Sequence, residues 1–476
     1  MDASARGDSD SQLAAARRTA WTLIVGGIAA VFDTTIVSVA LHTLATELST
    51  SVDVIQWVST AYLLALGVTV PTVAWAQRRF GGKRLWMVSL FVFLLGSVLC
   101  SLSWDAASLI GFRVVQGIGA GIMLPLMSTL AVQAAGGKNL GSLMALVSMP
   151  IALGPILGPV LGGIILNSLS WHWLFLVNVP ICLVGLVLAW RNLPDEYPGQ
   201  TASLDVVGLG LLSPAILGLL YGLGNSSKEG GFGRTDTLLP VLSGAVLLLA
   251  FIGWSRIHRE RALIDIRLFR HWPLASSFFL LFCTGITIYG AMLLLPLYFQ
   301  DIRETDALGA GLLLIPQGVG AFLSRTVSGR LSDRLGTRIV AITGFVIIGI
   351  GTLPLAMVTA TTPIWFVMTA LLIRGFGLGA VTIPLMAVAF DGLARSEIPE
   401  ASILTRLASQ IGGSFGTALF ASILTGAMAS GSSVHAFQHA FWWATGLTAI
   451  TAVLALALPG ASAPESIASV PAPAES

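Results

Sequence analysis

The sequence predicts an all-α polytopic membrane protein, and its composition, its hydropathy and the length of its apolar runs carry that prediction. Of its 476 residues, 55% are hydrophobic and only 10% are charged, whereas a soluble domain carries about 25% charged residues. The mean hydropathy of +0.87 also excludes a disordered chain. The apolar residues form runs of about 20, the length of a helix that crosses a bilayer, and no alternating strand pattern is present.

Fourteen apolar runs separated by polar breaks are predicted to be the membrane-spanning helices, because backbone groups in hydrocarbon must be hydrogen-bonded within their own segment. The predicted spans are 19–41, 54–76, 84–103, 107–133, 142–166, 171–190, 203–223, 237–256, 273–299, 305–326, 338–358, 363–391, 397–428 and 436–459. Residues 1–18 are predicted to be a polar cytoplasmic segment and residues 460–476 a disordered cytoplasmic tail.

The basic residues predict the orientation of these spans. With the N-terminus inside, about 20 Lys and Arg residues fall at or near the inner face, and only Lys228, Arg234 and Arg303 fall outside. We therefore expect a multi-pass protein of the cell (inner) membrane with both termini in the cytoplasm. The net charge of +2 forms no basic face, so nucleic acid is not an expected partner.

Two sequence repeats predict a duplicated architecture. "RVVQGIGAGIMLPLM" begins at Arg113 and "RGFGLGAVTIPLM" begins at Arg374, so Arg374 is expected to mirror Arg113. "RRFGGKR" at 78–84 and "GRLSDRLGTR" at 329–338 repeat at a similar offset. The expected domains are six-helix bundles at 19–190 and 273–459, with a linker at 191–272 that contributes the seventh and eighth spans.

Glycines mark two further segments. In the fifth span, "GPILGPVLGG" places Gly154, Gly158 and Gly162 four residues apart, so they form a bare stripe that lets another helix approach closely. Pro159 and Gly163 complete this segment, and ordinary small-residue packing is its alternative interpretation. The basic loop at 329–338 contains a glycine-punctuated turn with the following members: Gly329, Asp333, Arg334, Gly336 and Arg338.

Charged residues inside spans of the N-terminal half are the candidates for ion coupling. Asp33 lies about 12 Å below the outer end of the first span and Arg113 about 9 Å below that of the fourth, so the two could pair. A charge in a bilayer is costly and is functional by default. We predict that Asp33 responds to protons or cations; a structural polar contact is the alternative.

Several other polar residues in the spans are candidates for lining a central cavity. Arg113 and Gln116 are three residues apart and share a helix face. For each candidate glutamine, helix–helix hydrogen bonding remains the alternative. The full set of cavity candidates is Gln116, Gln300, Gln317, Arg374 and Gln410.

Together these segments resemble the major facilitator superfamily, and within it the fourteen-span drug:proton antiporter family. Residues 154–163 match GxxxGPxxGG, residues 329–338 match GxLxDRxGxR, and residues 113–119 match RxxQGxG. The resemblance implies that the glycine stripe packs the two halves together and that the loop forms a cytoplasmic latch. The first-half copy of the loop departs from the pattern, since Ala74 and Arg78 replace the usual glycine and aspartate.

The resemblance implies a proton-coupled antiporter that exports amphipathic drugs by alternating access, with the substrate, protons and the lipid bilayer as its partners. The alternative is a dedicated exporter of one endogenous metabolite or lipid with the same fold. No Walker motif is present, so ATP is not the expected energy source. The six histidines form no cluster with acidic residues, so neither a metal, a cofactor nor an enzyme is expected.

Overall fold

A computed structural model describes residues 2–135, 143, 146–147, 154, 157–158, 161–195, 203–225, 233–258, 262–305, 307–394, 396–428 and 432–459. Over these residues the chain is helical and contains no strand, which confirms the all-α prediction. Thirteen described helices are long and apolar enough to cross a membrane, one for each predicted span except the fifth. The fifth span lies largely outside the described residues, although 161–168 are helical.

The N-terminal helices form one bundle in which α1 packs on α6 and α8, and α6 packs on α3 and α5. The first helix begins at Asp2, so residues 2–18 of the predicted polar segment are helical and continuous with the first span, whose apolar window begins at Ala16. Pro71 lies in a 3₁₀ turn that ends α3, because proline has no backbone N–H to donate. The helices are α1 (Asp2–Glu47), α2 (Val52–Ile55), α3 (Trp57–Thr69), α4 (Val73–Phe80), α5 (Gly82–Ser101), α6 (Ala106–Ala135), α7 (Trp173–Leu176) and α8 (Asn178–Asn192).

The linker contributes a pair of helices, α9 (Val206–Asn225) and α10 (Thr235–Ile257), which pack on each other. Helix α9 also contacts α3 of the N-terminal bundle, where the Ser213 hydroxyl donates to the carbonyl oxygen of Val68 at 3.0 Å. It also contacts the C-terminal helix Ile398–Met428, so the inserted pair touches both bundles. A 3₁₀ helix, Ile266–Arg270, leads from α10 into the C-terminal bundle.

The C-terminal helices form a second bundle. Its members are α11 (Trp272–Asp301), α12 (Ala307–Leu313), α13 (Ile315–Leu335), α14 (Thr337–Thr352), α15 (Ile364–Phe390), α16 (Ile398–Met428) and α17 (Ser433–Leu454). Helix α13 continues to Leu335, so most of the segment 329–338, predicted as a loop, is helical. The helix passes through "GRLSDRL" without interruption and ends at Gly336, beyond the apolar window, which ends at Ser332.

Two glycines make equivalent turns in the two bundles. Gly81 between α4 and α5 has φ of 81°, and Gly336 between α13 and α14 has φ of 87°. Positive φ strains other residues, and glycine adopts it readily because it has no Cβ. The shared geometry supports aligning Gly81 with Gly336, the alignment of the two loop repeats that places Arg78 at the position of Asp333.

Polar contacts connect neighbouring helix ends at each of the two opposite ends of the helix bundles. We call the end that carries Gly81 and Gly336 the basic face. There Lys83 pairs with Asp195 at 3.0 Å, and the Trp272 indole N–H donates to the carbonyl oxygen of Ala457 at 2.9 Å. At the opposite face, Gln438 donates to the carbonyl oxygen of Val358 at 2.9 Å. The predicted spans cross the membrane in alternating directions, and the helix ends connected at each face are ones that this alternation places on the same side.

The apolar core shows that the two bundles meet at the basic face. One cluster there contains N-terminal residues such as Val73 and Leu130 together with C-terminal residues such as Phe390 and Leu404. Toward the opposite face each bundle has its own cluster, one around Ile36 and one around Leu294. The bundles are therefore packed together at the basic face and have separate cores at the other.

Candidate functional site

A buried ion pair lies in the N-terminal bundle between α1 and α6. The Arg113 Nη1 atom is 2.5 Å from Asp33 Oδ2, and the two side chains are 1% and 0% exposed. The pairing that the similar depths permit is therefore present. Because the pair is removed from water, each charge depends on the other for compensation.

Neutral donors surround the second oxygen of the same carboxylate. Gln116 Nε2 donates to Asp33 Oδ1 at 2.9 Å, and Asn178 Nδ2 donates to it at 3.2 Å. Both amides also donate to the Ser97 hydroxyl, at 2.6 and 3.1 Å. Helices α1, α5, α6 and α8 thus converge on the side chain of Asp33.

The guanidinium of Arg113 is fixed on its other sides. Its Nε donates to the carbonyl oxygen of Val58 at 3.1 Å, and its Nη1 donates to Gln116 Oε1 at 2.7 Å. It stacks 4.1 Å from the centre of the Tyr62 ring, a cation–π contact. The Tyr62 hydroxyl donates to the carbonyl oxygen of Ala30 at 3.3 Å, which ties this ring to α1.

Asn178, Ser97 and Tyr62 belong to the site but were not selected from the sequence. Asn178 is a lone amide inside an apolar span and is fully buried, and burial of such a group requires hydrogen-bond partners. That feature could have pointed to it. Ser97 and Tyr62 give no comparable signal, because a serine in a helix bonds its own backbone and a tyrosine is often a packing residue.

Glycines bring the helices of the site into close contact. A side chain at Gly96 of α5 would collide with the backbone of Gln116, and one at Gly119 would collide with the backbone of Phe93. A side chain at Gly117 would collide with the carbonyl of Tyr62. The RxxQGxG segment thus places Arg113 and Gln116 against α3 and α5 because its glycines leave room for both helices.

The same contacts recur in the C-terminal bundle and correct the expected alignment of Arg374. Gly351 of α14 lies against the backbone of Arg374 as Gly96 lies against that of Gln116, and Gly375 lies against the carbonyl of Gln317 as Gly117 lies against that of Tyr62. Arg374 therefore occupies the position of Gln116, one helical turn from the position that the sequence predicted. Aligning the glycines instead of the arginines would have found this.

Arg374 has different surroundings from Arg113. It is fully buried and donates to Gln317 Oε1 at 2.8 Å, to the carbonyl oxygen of Thr287 at 3.0 Å and to the Thr352 hydroxyl at 3.2 Å. Within the described part of the chain it forms no ion pair with a carboxylate. The two bundles are thus unequal in their buried charge.

The remaining cavity candidates separate into two groups. Gln317 is half-buried and bonded to Arg374, and Gln410 of α16 faces Gly67 of α3 across the boundary between the bundles. Gln300 is exposed in the last turn of α11, at the face opposite the basic face. The structure therefore does not bring Gln300 toward the centre.

The glycine stripe packs on α1 next to Asp33. Side chains at Gly154, Gly158 and Gly162 would collide with or crowd Val31, Thr35 and Ile36 respectively. These nearest neighbours belong to the same bundle, whereas the resemblance implied contact between the halves. Gly163 has open space around it, and Pro159 lies outside the described residues.

The residues of the predicted latch are only partly described. Gly329 is buried inside α13, Arg334 is exposed near its end, and Arg338 is half-buried in the first turn of α14. The side chain of Asp333 lies outside what the structure describes. The latch therefore remains a prediction for the second half.

Comparison with known proteins identifies the family. The family model described as "Major Facilitator Superfamily" matches residues 23–417. The chain belongs to the major facilitator superfamily. It is 37% identical over 410 residues to the multidrug resistance protein B homolog of Mycobacterium tuberculosis, covering 86% of this chain and 76% of that protein. It is 31% identical over 395 residues to the multidrug export protein EmrB of Haemophilus influenzae, covering 82% and 76%.

Solved structures confirm the major facilitator fold. The proton:xylose symporter XylE aligns with a TM-score of 0.65 at 14% identity, covering 94% of this chain and 97% of that chain. The human organic anion transporter MFSD10 aligns with a TM-score of 0.62 at 15% identity, covering 92% and 99%. The chain is thus a multi-pass membrane transporter by family and by fold, with relatives named for multidrug resistance.

Proposed function

We propose that this transporter is a proton-coupled antiporter that exports small amphipathic compounds, and that Asp33 carries the coupling proton. The observation that supports this most directly is the fully buried Asp33–Arg113 pair. A buried charge pair contributes little net stability compared with apolar packing of the same volume. Its presence in a transporter therefore favours a role in ion movement.

The hydrogen bonds around Asp33 connect its protonation to the arrangement of four helices. While Asp33 is ionised, it holds donors from Arg113, Gln116 and Asn178. A proton on Asp33 removes the negative charge that compensates Arg113 and weakens each of these bonds. Each protonation state then favours a different packing of α1, α5, α6 and α8, which is the thermodynamic requirement for coupling.

The transport cycle follows from the packing of the bundles. We place the basic face in the cytoplasm because basic loops remain on that side. The bundles share their core there, so this conformation would open outward and release substrate while Asp33 takes up a proton. Opening of the basic face would then release the proton and admit substrate. The membrane potential would supply about 2.3 kcal/mol per charge per 100 mV.

Proteoliposomes with an imposed pH difference test the proposal. A panel of fluorescent amphipathic dyes of different charge serves as the set of probes. For wild-type protein we expect dye efflux that rises with the pH difference, and dye-induced proton release. For Asp33→Asn we expect neither, because the amide cannot exchange a proton in this pH range.

Asp236→Asn is the matched control. Asp236 is a half-exposed carboxylate that pairs with Arg234 outside the bundles, so this variant should behave as wild type does. Efflux by Asp33→Asn that still follows the pH difference would contradict the role of Asp33. Wild-type efflux that ignores the pH difference would contradict proton coupling altogether.

A further inference from the structure

An ion pair joins the two bundles at the basic face. Arg78, near the end of α4, contacts Glu400 in the first turn of α16, with 2.7 Å between Nη1 and Oε1. The Arg78 side chain is 33% exposed and that of Glu400 is 13% exposed. The pair therefore lies at the edge of the shared core, with the carboxylate on its inner side.

The sign of the charge at position 78 is reversed relative to the repeat. With Gly81 aligned to Gly336, Arg78 stands at the position of Asp333. The loop motif has an aspartate there, and the substitution removed a predicted latch charge from the first half. In the structure the position is still paired, since the opposite bundle presents an acid to the arginine.

The second oxygen of Glu400 binds the linker. The backbone N–H of Asp265 donates to Glu400 Oε2 at 2.9 Å. The same stretch of linker is bonded to the inserted helices, because the N–H of Leu263 donates to Asp205 at 3.0 Å and the Ser255 hydroxyl donates to the carbonyl oxygen of Ile264 at 2.8 Å. Glu400 thus connects the N-terminal bundle, the linker and the C-terminal bundle.

The position of these contacts makes them sensitive to conformation. They lie on the side where the bundles share one apolar core, so any movement that opens the basic face must separate Arg78 from Glu400. The bond between the linker and Glu400 lies on the C-terminal side of that separation. This bond holds the Glu400 carboxylate in place, so that Arg78 can pair with it again when the basic face closes.

We propose that Arg78, Glu400 and the linker segment 262–266 form a charge-reversed clasp, which stabilises the conformation closed at the basic face. In this arrangement the inserted helices α9 and α10 brace the clasp through Asp205, Ser255 and the N–H of Asp265. Arg78 and Glu400 are positioning residues for the alternating-access step. The effect of the clasp on transport rests on the proposed transport cycle. The clasp itself affects only the fraction of molecules that are closed at the basic face.

Distances between spin labels across the basic face test the clasp without measuring transport. Labels are placed at Arg84→Cys in α5 and Leu335→Cys in α13, one exposed position in each bundle, in the full-length protein in lipid nanodiscs. The native Cys100 and Cys182 are buried and Cys283 is half-buried, and each is replaced by alanine in the labelled background. Electron–electron double resonance then gives the fractions of close and wide separations.

Charge exchange separates the clasp from a general effect of charge. We expect Arg78→Glu to raise the wide fraction about threefold, the size of effect that a partly exposed ion pair produces. Glu400→Arg should do the same, and the double exchange R78E/E400R should return the wide fraction to the wild-type value. Arg79→Glu is the matched control. Arg79 is exposed and adjacent to Arg78, so the substitution makes the same change in charge one residue from the ion pair.

Equal distributions for Arg78→Glu and Arg79→Glu would overturn the proposal, and so would a double exchange as open as either single variant. If Arg78→Glu does not fold, Arg78→Gln compared with Arg79→Gln provides the same comparison with a smaller perturbation. In that case a shift confined to Arg78→Gln supports the clasp, and an equal shift in both overturns it.

A backbone substitution tests the linker arm. Asp265 has φ of −79°, close to the value that proline requires, so Asp265→Pro removes the N–H that binds Glu400. Asp265→Ala removes the same carboxylate but keeps the N–H. We expect Asp265→Pro to raise the wide fraction above that of Asp265→Ala, and equal fractions would remove the linker from the clasp.

Failure of the clasp and failure of proton coupling have different signatures. If Asp33→Asn keeps its pH-driven efflux while the label distances respond as expected, the clasp stands and the proton role of Asp33 does not. If Asp33→Asn loses coupling while Arg78→Glu leaves the label distances unchanged, the proton role of Asp33 stands and the clasp does not.

Discussion

Arg113 and Arg374 show how one residue type acquires two roles through its surroundings. Both are almost completely buried, but Arg113 compensates Asp33 whereas Arg374 is bonded to neutral oxygens. The equivalent glycine contacts place Arg374 where the N-terminal bundle has Gln116. A neutral glutamine is thus compatible with this position of the fold.

We therefore expect opposite results from one substitution made at both arginines. Arg113→Gln should leave the Asp33 carboxylate buried without its counter-ion, a loss of about 3–5 kcal/mol when a buried pair is broken. Transport should be abolished. Arg374→Gln should fold and retain efflux, because it copies the residue of the equivalent position and, among the residues that the structure describes, leaves no carboxylate unpaired.

Melting temperature and dye efflux in proteoliposomes measure both effects. A stable, active Arg113→Gln protein would contradict the importance of the pair. An Arg374→Gln protein that folds but does not transport would mean that the cation at 374 takes part in substrate binding, and would contradict the equivalence with Gln116.

At the residue scale the sequence singled out Asp33, Arg113 and Gln116 and allowed the two charges to pair, but it did not select Asn178 or Ser97. A carboxylate and a guanidinium in apolar spans are conspicuous because their insertion is costly. The amide of Asn178 and the hydroxyl of Ser97 complete the site through helix packing. Which serine or amide faces a given carboxylate depends on the relative rotation of the helices, and the local sequence does not specify that rotation.

At the scale of elements, glycine determines how closely helices approach. The stripe in the fifth predicted span lies against α1, and its contact at Thr35 is two residues from Asp33. Small residues at such positions allow backbone-to-backbone contact that larger residues prevent. The stripe therefore positions the helix that carries the proposed proton site.

A pair of alanine substitutions tests this role. Gly158→Ala places a methyl group against Thr35, so we expect a loss of about 1–3 kcal/mol from overpacking and slower efflux. Gly163→Ala is the matched control, because a side chain there meets nothing within 4 Å. Its melting temperature should equal that of wild type.

The melting temperature reports packing in the conformation that the structure describes, whereas the efflux rate also reports packing in the other conformations of the transport cycle. Equal destabilisation by Gly158→Ala and Gly163→Ala would contradict the specific contact with α1. Slower efflux by Gly163→Ala at an unchanged melting temperature would show that its face packs only after the bundles move.

The sequence located the elements well because hydropathy is a local property, and it misplaced some of their ends. The turn between α13 and α14 reduces to Gly336, while "GRLSDRL" remains helical. Polar residues at a membrane boundary favour a loop on hydropathy grounds, but the helical backbone bonding continues until the positive φ of Gly336 ends it. Helix α1 likewise begins at Asp2, upstream of its apolar window.

For the whole molecule, the difference between the two faces is the central feature. The bundles share a core at the basic face and have separate cores at the opposite one. The clasp reinforces the closed face, and the inserted pair contacts both bundles. Whether the basic face lies in the cytoplasm or outside the cell decides whether the opposite face, where the bundles have separate cores, faces the outside or the cytoplasm.

Thiol labelling tests the proposed orientation. Leu335→Cys at the basic face should react with a membrane-impermeant maleimide in inside-out vesicles and not in right-side-out vesicles. Thr361→Cys, in the exposed turn between α14 and α15, should react in the opposite preparation. The native cysteines are buried or half-buried, so the cysteine-bearing parent protein serves as the background control. Reversed labelling at both sites would contradict the orientation.

The sequence by itself determined the helical membrane class, the approximate positions of the thirteen spans that the structure describes and the presence of a buried acid and arginine in the N-terminal half. These follow from hydropathy and from the cost of charge in hydrocarbon, which are properties of single segments. Only the tertiary structure decided that Asn178 and Ser97 complete the site, that Arg374 stands where Gln116 does, and that Arg78 meets Glu400. Those facts depend on how separate helices are rotated and packed against each other, and such contacts join residues that are far apart in the chain.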